Sequence, residues 1–117
     1  MSTLRRRALL VTGTDTGIGK TLVGCALARA LIARGLRVAP FKPVETGCRE
    51  VDGVLVAEDA EKLRHATGTD VPPERVCPIR LRDPLAPMVA AEREGATIDV
   101  AALTASYREL AASHDVV

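Results

Sequence analysis

Lys20 and Thr21 close the run VTGTDTGIGKT at residues 11–21. An ammonium and a hydroxyl side by side behind several glycines are what phosphate binding requires. The lysine brings a point charge to terminal phosphate oxygens, and the hydroxyl is a hard oxygen ligand for Mg2+. Backbone N–H groups of such a loop, and of the first turn of the helix it opens, point toward a common anion. The spacing departs by one residue from G-x-x-x-x-G-K-[ST], since counting back from Gly19 reaches Thr14, with the glycine at Gly13. The extra residue widens the shoulder of the loop and leaves Lys20 and Thr21 in place. Gly13, Thr16, Gly17, Ile18, Gly19, Lys20 and Thr21 are therefore the candidate nucleotide-binding residues, with the glycines permitting positive φ and close ligand approach.

A second set follows about twenty residues later in FKPVETG, residues 41–47. The elements that must position both sets can be read from periodicity. Ala8 to Val11 is a short apolar run that reads as a strand buried on both faces. From about Lys20 to Arg34, Val23, Ala26, Leu27, Ala30 and Leu31 recur at helical spacing, and Gly35 is a stop. Leu36 to Phe41 reads as a second strand, with Pro40 near its end. The opening forty residues are thus a βαβ unit, and Lys42 stands at the carboxyl end of its second strand, the edge where open α/β sheets bind ligands.

Further along, 48–53 reads as loop and Val54 to Ala66 as a helix stopped by Gly68. The proline-rich stretch from Pro72 to Pro87 allows only short regular pieces. A short helix is predicted around Met88–Arg93. Asp99 is an N-cap for a helix that buries Val100, Leu103, Tyr107 and Leu110. Residues 113–117 read as the beginning of another strand. The fold class is α/β: a P-loop nucleotide-binding fold with a mostly parallel sheet flanked by helices, apparently truncated.

Composition narrows the function. The 117 residues have room for one domain. The apolar residues are chiefly Ala, Val and Leu, with Phe41 and Tyr107 the only aromatics, so the stacking faces of a single-strand nucleic-acid platform are missing. Sixteen basic and fifteen acidic residues leave +1, too little field to attract nucleic acid or anionic lipid. Arg5, Arg6 and Arg7 read as a solvated lead-in. The apolar run after them is too short for a signal peptide, and none reaches membrane-spanning length. Three widely spaced cysteines, Cys25, Cys48 and Cys77, fit neither a disulfide framework nor a zinc site. A reducing cytoplasm is the simplest compartment. Cys48 reads as a small semi-buried residue, and His65 and His114 as surface residues.

GTDTGIGKT together with FKPVETG resembles the dethiobiotin synthase family, and the similarity runs on through AEDAEKL and DPLAP to the terminal DVV. Asp15 departs from the MinD-type branch, which carries a signature lysine five positions before the loop lysine. The resemblance implies ATP- and Mg2+-dependent ring closure of 7,8-diaminononanoate with CO2 or bicarbonate, through a carbamate and its mixed anhydride with phosphate. It implies that Lys20 and Lys42 are catalytic, that Thr46 and Lys42 bind substrate, and that Thr21 and Asp59 ligate Mg2+, with Asp59 also meeting the nucleotide. Gly17 stands where some members carry glutamate. A homodimer is implied for the full-length enzyme. The family's acidic glycine-rich motif, adenine contacts and partner-subunit contacts would follow Val117, so residues 1–117 are read as the N-terminal portion of one larger domain. As an isolated piece the chain is expected to be unstable or nearly inactive. The alternatives are a non-catalytic P-loop module, or an ATPase similar to MinD or the cobyrinic acid amidating enzymes.

Overall fold

The computed structural model describes residues 7–13 and 19–117. Its parallel ladder begins where the first strand is expected. Arg7 pairs in parallel with Val116, and Val38 pairs in parallel with the same residue. Val116 therefore lies between the two strands of the βαβ unit, and the terminal strand read from 113–117 is real as far as Asp115–Val117. The Leu9 N–H donates to Val117 O at 3.0 Å, and the Ala39 N–H to Val116 O at 2.9 Å. Asp115 clamps this junction: its Oδ2 accepts the Arg37 N–H at 2.8 Å, and its Oδ1 lies 3.2 Å from the Arg37 guanidinium.

Helix α1 spans Lys20–Ala33 and ends at Gly35, whose φ of +84° closes the last turn. Beyond Pro40 the chain changes partner. The Lys42 N–H donates to Val76 O, and strand β1 (Val44–Glu45) pairs in parallel with Ile79–Arg80. Next comes a hairpin, strands β2 (Arg49–Val51) and β3 (Val54–Val56), antiparallel around Asp52-Gly53. Both turn residues have positive φ, +51° and +79°, the conformation Asp-Gly favours because its twist matches that of the strands. This corrects the sequence reading of 48–53 as loop and of 54–57 as helix. Helix α2 is Glu58–Thr67, with Gly68 in the left-handed conformation as its stop. Helix α3 (Pro73–Val76) and strand β4 (Ile79–Arg80) are the short pieces the prolines allow, followed by helices α4 (Pro87–Glu94) and α5 (Val100–Ser113). Asp99 caps α5 through Oδ1, which accepts the Ala102 N–H at 3.2 Å.

The principal core joins Ala39, Cys48, Ala57, Ala60, Val71, Val76, Cys77 and Leu110, with Phe41 and Leu55 against it. Small side chains predominate in it. The two aromatic rings, Phe41 and Tyr107, stand 6.3 Å apart in a tilted pair. A second cluster joins Leu81, Ala90 and Ala91 beneath α4.

Three burial expectations fail. The first strand is not buried on both faces: Leu10 is 89 % exposed, because among the described residues this strand pairs only with 115–117. On α1 the fully buried residue is Ala28, while Val23 faces solvent and Leu27 is only partly covered. The helix is apolar nearly all round, so spacing alone does not identify its inner face. Val100, 70 % exposed, lies outside the core that Leu110 anchors. Leu110→Ala is accordingly expected to cost about 3 kcal/mol by leaving a cavity. Val100→Ala should stay within about 0.5 kcal/mol. Urea unfolding of the two variants checks the contrast.

Candidate active site

Gly19 precedes α1 with φ +93°, a left-handed position that glycine adopts without strain. It carries no side chain to cap the helix, and no acidic residue stands in the first turn. The first-turn amides and Lys20 thus have no carboxylate from that turn beside them. Thr16, Gly17 and Ile18 lie outside the described residues. Gly13 is exposed where the first strand ends.

Lys20 and Thr21 line one cavity with Lys42. It has a volume of about 260 Å3. Its walls are apolar, from Leu9 and Val11 of the first strand, Leu27 and Leu31 of α1, and Phe41 of the second strand. Gly24 brings α1 against α2: a Cβ built there would sit 3.5 Å from Leu63 Cδ2, ordinary van der Waals contact. That close packing carries the amino end of α2, and Asp59 with it, toward Thr21.

Lys42 is bound by two carboxylates. Its Nζ donates to Asp59 Oδ2 at 2.8 Å and lies 3.4 Å from Glu45 Oε1. Partial burial alone would lower the Lys42 pKa, but the Asp59 hydrogen bond and the charges of Glu45 and Asp59 outweigh it and hold it above the usual lysine value. Burial likewise pushes Asp59 upward, and the Lys42 hydrogen bond and charge, aided by the Thr21 side chain and Lys62, bring it below the usual carboxylate value. Asp59 therefore stays ionised. An ionised carboxylate beside a threonine hydroxyl is a donor set that fits Mg2+, which takes one or two protein oxygens and keeps several waters. Among the described residues no cluster of three or more His, Cys, Asp or Glu offers a metal cage of its own.

Glu45, quoted in the second motif and given no role there, turns out to be central to this geometry. Only 7 % exposed, its carboxylate accepts the Asp59 N–H through Oε2 at 3.1 Å and the Ala60 N–H through Oε1 at 3.0 Å. The need for it arises in α2. Helix α2 begins behind Ala57, which has no capping side chain, so its first amides need an acceptor from elsewhere.

Thr46 does not line the cavity. It is half-buried after β1, beside Gly47, whose φ is +68°. The Gly47 N–H donates to Asp83 O at 3.2 Å, and a Cβ at Gly47 would meet Pro84 Cβ at 3.5 Å. The VETG and DPLAP segments are therefore in contact. Cys48 is buried and donates to Glu45 O at 3.3 Å; burial and the Glu45 charge push its thiol up, away from nucleophilic character. Cys77 is pushed up to about 12, chiefly by burial. His65 is exposed as expected, but His114 is half-buried, its Nδ1 2.9 Å from Leu110 O.

A glycine turn, a lysine and a threonine at the start of a helix, facing a lysine and an ionised carboxylate at the carboxyl end of a parallel ladder, define a nucleotide-binding α/β domain of the P-loop kind. A family model described as an AAA domain matches residues 7–117, and the chain belongs to that family. Over 111 residues, 95 % of this chain, it is 47 % identical to the ATP-dependent dethiobiotin synthetase BioD of Anaeromyxobacter dehalogenans strain 2CP-C. It is 46 % identical over the same length to the proteins of that name from strain 2CP-1 and from Anaeromyxobacter sp. strain K. The chain spans about half the length of these curated relatives, 48 % of each. No helix among the described residues is long and apolar enough to cross a membrane.

Two measurements check the site's electrostatics. Because the Asp59 pKa is lowered on folding, its contribution to stability is present above the unfolded value of about 3.9 and is lost as pH falls through the folded value. The stability gap between the protein and Asp59→Asn should therefore narrow below about pH 4 in pH-dependent urea titrations. At pH 8, iodoacetamide should modify half-buried Cys25 and leave Cys77 intact, as read by mass spectrometry.

Proposed function

We propose that the protein takes part in the ring-closing carboxylation of 7,8-diaminononanoate with CO2 and ATP, yielding dethiobiotin, ADP and phosphate, a ligase step of biotin biosynthesis. The observation that carries this reading is the cavity shared by Lys20, Thr21 and Lys42, with Asp59 held against Lys42. The similarity to dethiobiotin synthetases over 95 % of the chain supports it.

In this reaction one substrate amine takes up CO2 as a carbamate. The γ-phosphoryl group of ATP passes to a carbamate oxygen, giving the carbamic–phosphoric anhydride and ADP. The second amine attacks the carbamate carbon, phosphate leaves, and the cyclic urea closes. The protein's share is to gather anions and neutralise charge as it moves. Gly13, Thr16, Gly17, Ile18 and Gly19 are the nucleotide-binding residues of this reading, and Lys20 bridges the β and γ groups. Lys42 meets the carbamate oxygens and the phosphoryl group in transfer. Thr46, outside the cavity wall and just beyond β1, is assigned a substrate contact from the family pattern. Thr21 and Asp59 would hold Mg2+, which when bound supplies charge neutralisation at the phosphates. Residues 1–117 serve as the N-terminal portion of a single larger domain, acting in the cytoplasm as part of a homodimer.

The test is ADP release by the purified full-length protein. Turnover is expected to require both diaminononanoate and bicarbonate; ATP hydrolysis indifferent to both would instead indicate an ATPase of another kind. Lys42→Ala should lower dethiobiotin formation by about 10²–10³-fold, the usual loss on removing one transition-state charge partner. ATP binding, measured by calorimetry, should be largely kept.

A further inference from the structure

Helix α2 carries Asp59 in its first turn, where four amides have no intrahelical acceptor. Its N-cap, Ala57, supplies no side-chain oxygen. The missing acceptor comes instead from β1, fourteen and fifteen residues earlier, as the two oxygens of Glu45. The same carboxylate lies 3.4 Å from Lys42 Nζ. Thus one nearly buried group touches the backbone of Asp59, the backbone of Ala60 and the ammonium that Asp59 itself binds. Its surroundings leave it little freedom: the Glu45 carbonyl accepts both the Leu81 N–H at 2.9 Å and the Cys48 thiol.

We infer that Glu45 is a positioning residue for this site, fixing the Asp59 carboxylate and the Lys42 ammonium in one register by capping α2 from the neighbouring strand. It touches no nucleotide or substrate in the proposed reaction and acts through Asp59 and Lys42, so the inference rests on the reading of those two residues as site groups. Geometry requires the carboxylate in particular. Two converging amides and an ammonium are all donors, and Glu offers two acceptor oxygens and no donor. A glutamine offers one oxygen, and its NH2 would oppose an amide or the ammonium. Without the cap, α2 can shift at its amino end, and the Lys42–Asp59 distance is no longer set.

Three readouts test this, two of them independent of turnover. By NMR-detected amide exchange, Glu45→Ala and Glu45→Gln should exchange the Asp59 and Ala60 amides at least tenfold faster. Glu61, whose N–H is bonded to Ala57 O, should change less. In a double-mutant cycle on unfolding, the Lys42–Asp59 coupling (Lys42→Met, Asp59→Asn) should fall to less than half in the Glu45→Gln background. Where the protein turns over, Glu45→Gln should lower kcat at least tenfold while the KM for ATP stays within twofold. Unchanged exchange at Asp59 and Ala60 overturns the cap. Faster exchange with the coupling intact makes Glu45 a helix cap alone and overturns the positioning role. Should Glu45→Ala fail to fold, Glu45→Gln carries both NMR and unfolding readouts. Absence of turnover in the unaltered full-length protein would count against the proposed reaction and leave these two readouts in force.

Discussion

Everything at the carboxyl edge of the ladder is organised around one ammonium between two carboxylates. Lys42 joins the end of the second strand to the start of α2 through Asp59, and Glu45 ties β1 to the same helix start through α2's first amides. A half-buried lysine in an otherwise apolar wall would lose part of its charge to desolvation. Here the opposed charges outweigh that loss, so both Lys42 and Asp59 remain ionised. The arrangement is therefore a charged site maintained within a largely aliphatic setting, where charges interact more strongly than in water.

That setting depends on small side chains. Ala39, Ala57 and Ala60 let α2 lie close against the second strand, and Gly24 lets α1 lie close against α2. The Gly24–Leu63 contact, ordinary in its distance, holds α1 and α2 side by side. The contact between Gly47 and the 83–84 segment does the same for the VETG turn, holding it against a second loop that contains no regular structure.

What the sequence disclosed was mostly local. The helix that follows Gly19, the Gly35 and Gly68 stops and the Asp99 cap are each decided by a few neighbouring residues, and each stands where spacing puts it. The hairpin was equally local and was missed. Asp52-Gly53 is a strong turn pair, but Val54, Leu55 and Val56 run straight into a helix-forming stretch and were absorbed into its periodicity. Other features were not legible because they are properties of assembly. Nothing within α1 says that Ala28 faces inward and Val23 outward, since both faces are apolar. Nothing in Leu9 and Leu10 says which neighbours cover them. Glu45 acts between a strand and a helix, and no window of sequence spans that relationship. Lys42 and Asp59 came from the family pattern, and their 2.8 Å contact came only with the fold.

The central claim is that the ammonium groups of Lys20 and Lys42 serve a single cavity for anionic groups. The most direct measurement follows the 15Nζ resonances of both lysines by NMR while MgATP is added. One saturation curve, with both resonances moving in parallel and both responses lost in Thr21→Ala, is the expected result. A shift confined to Lys20, or different midpoints for the two, would contradict a shared site.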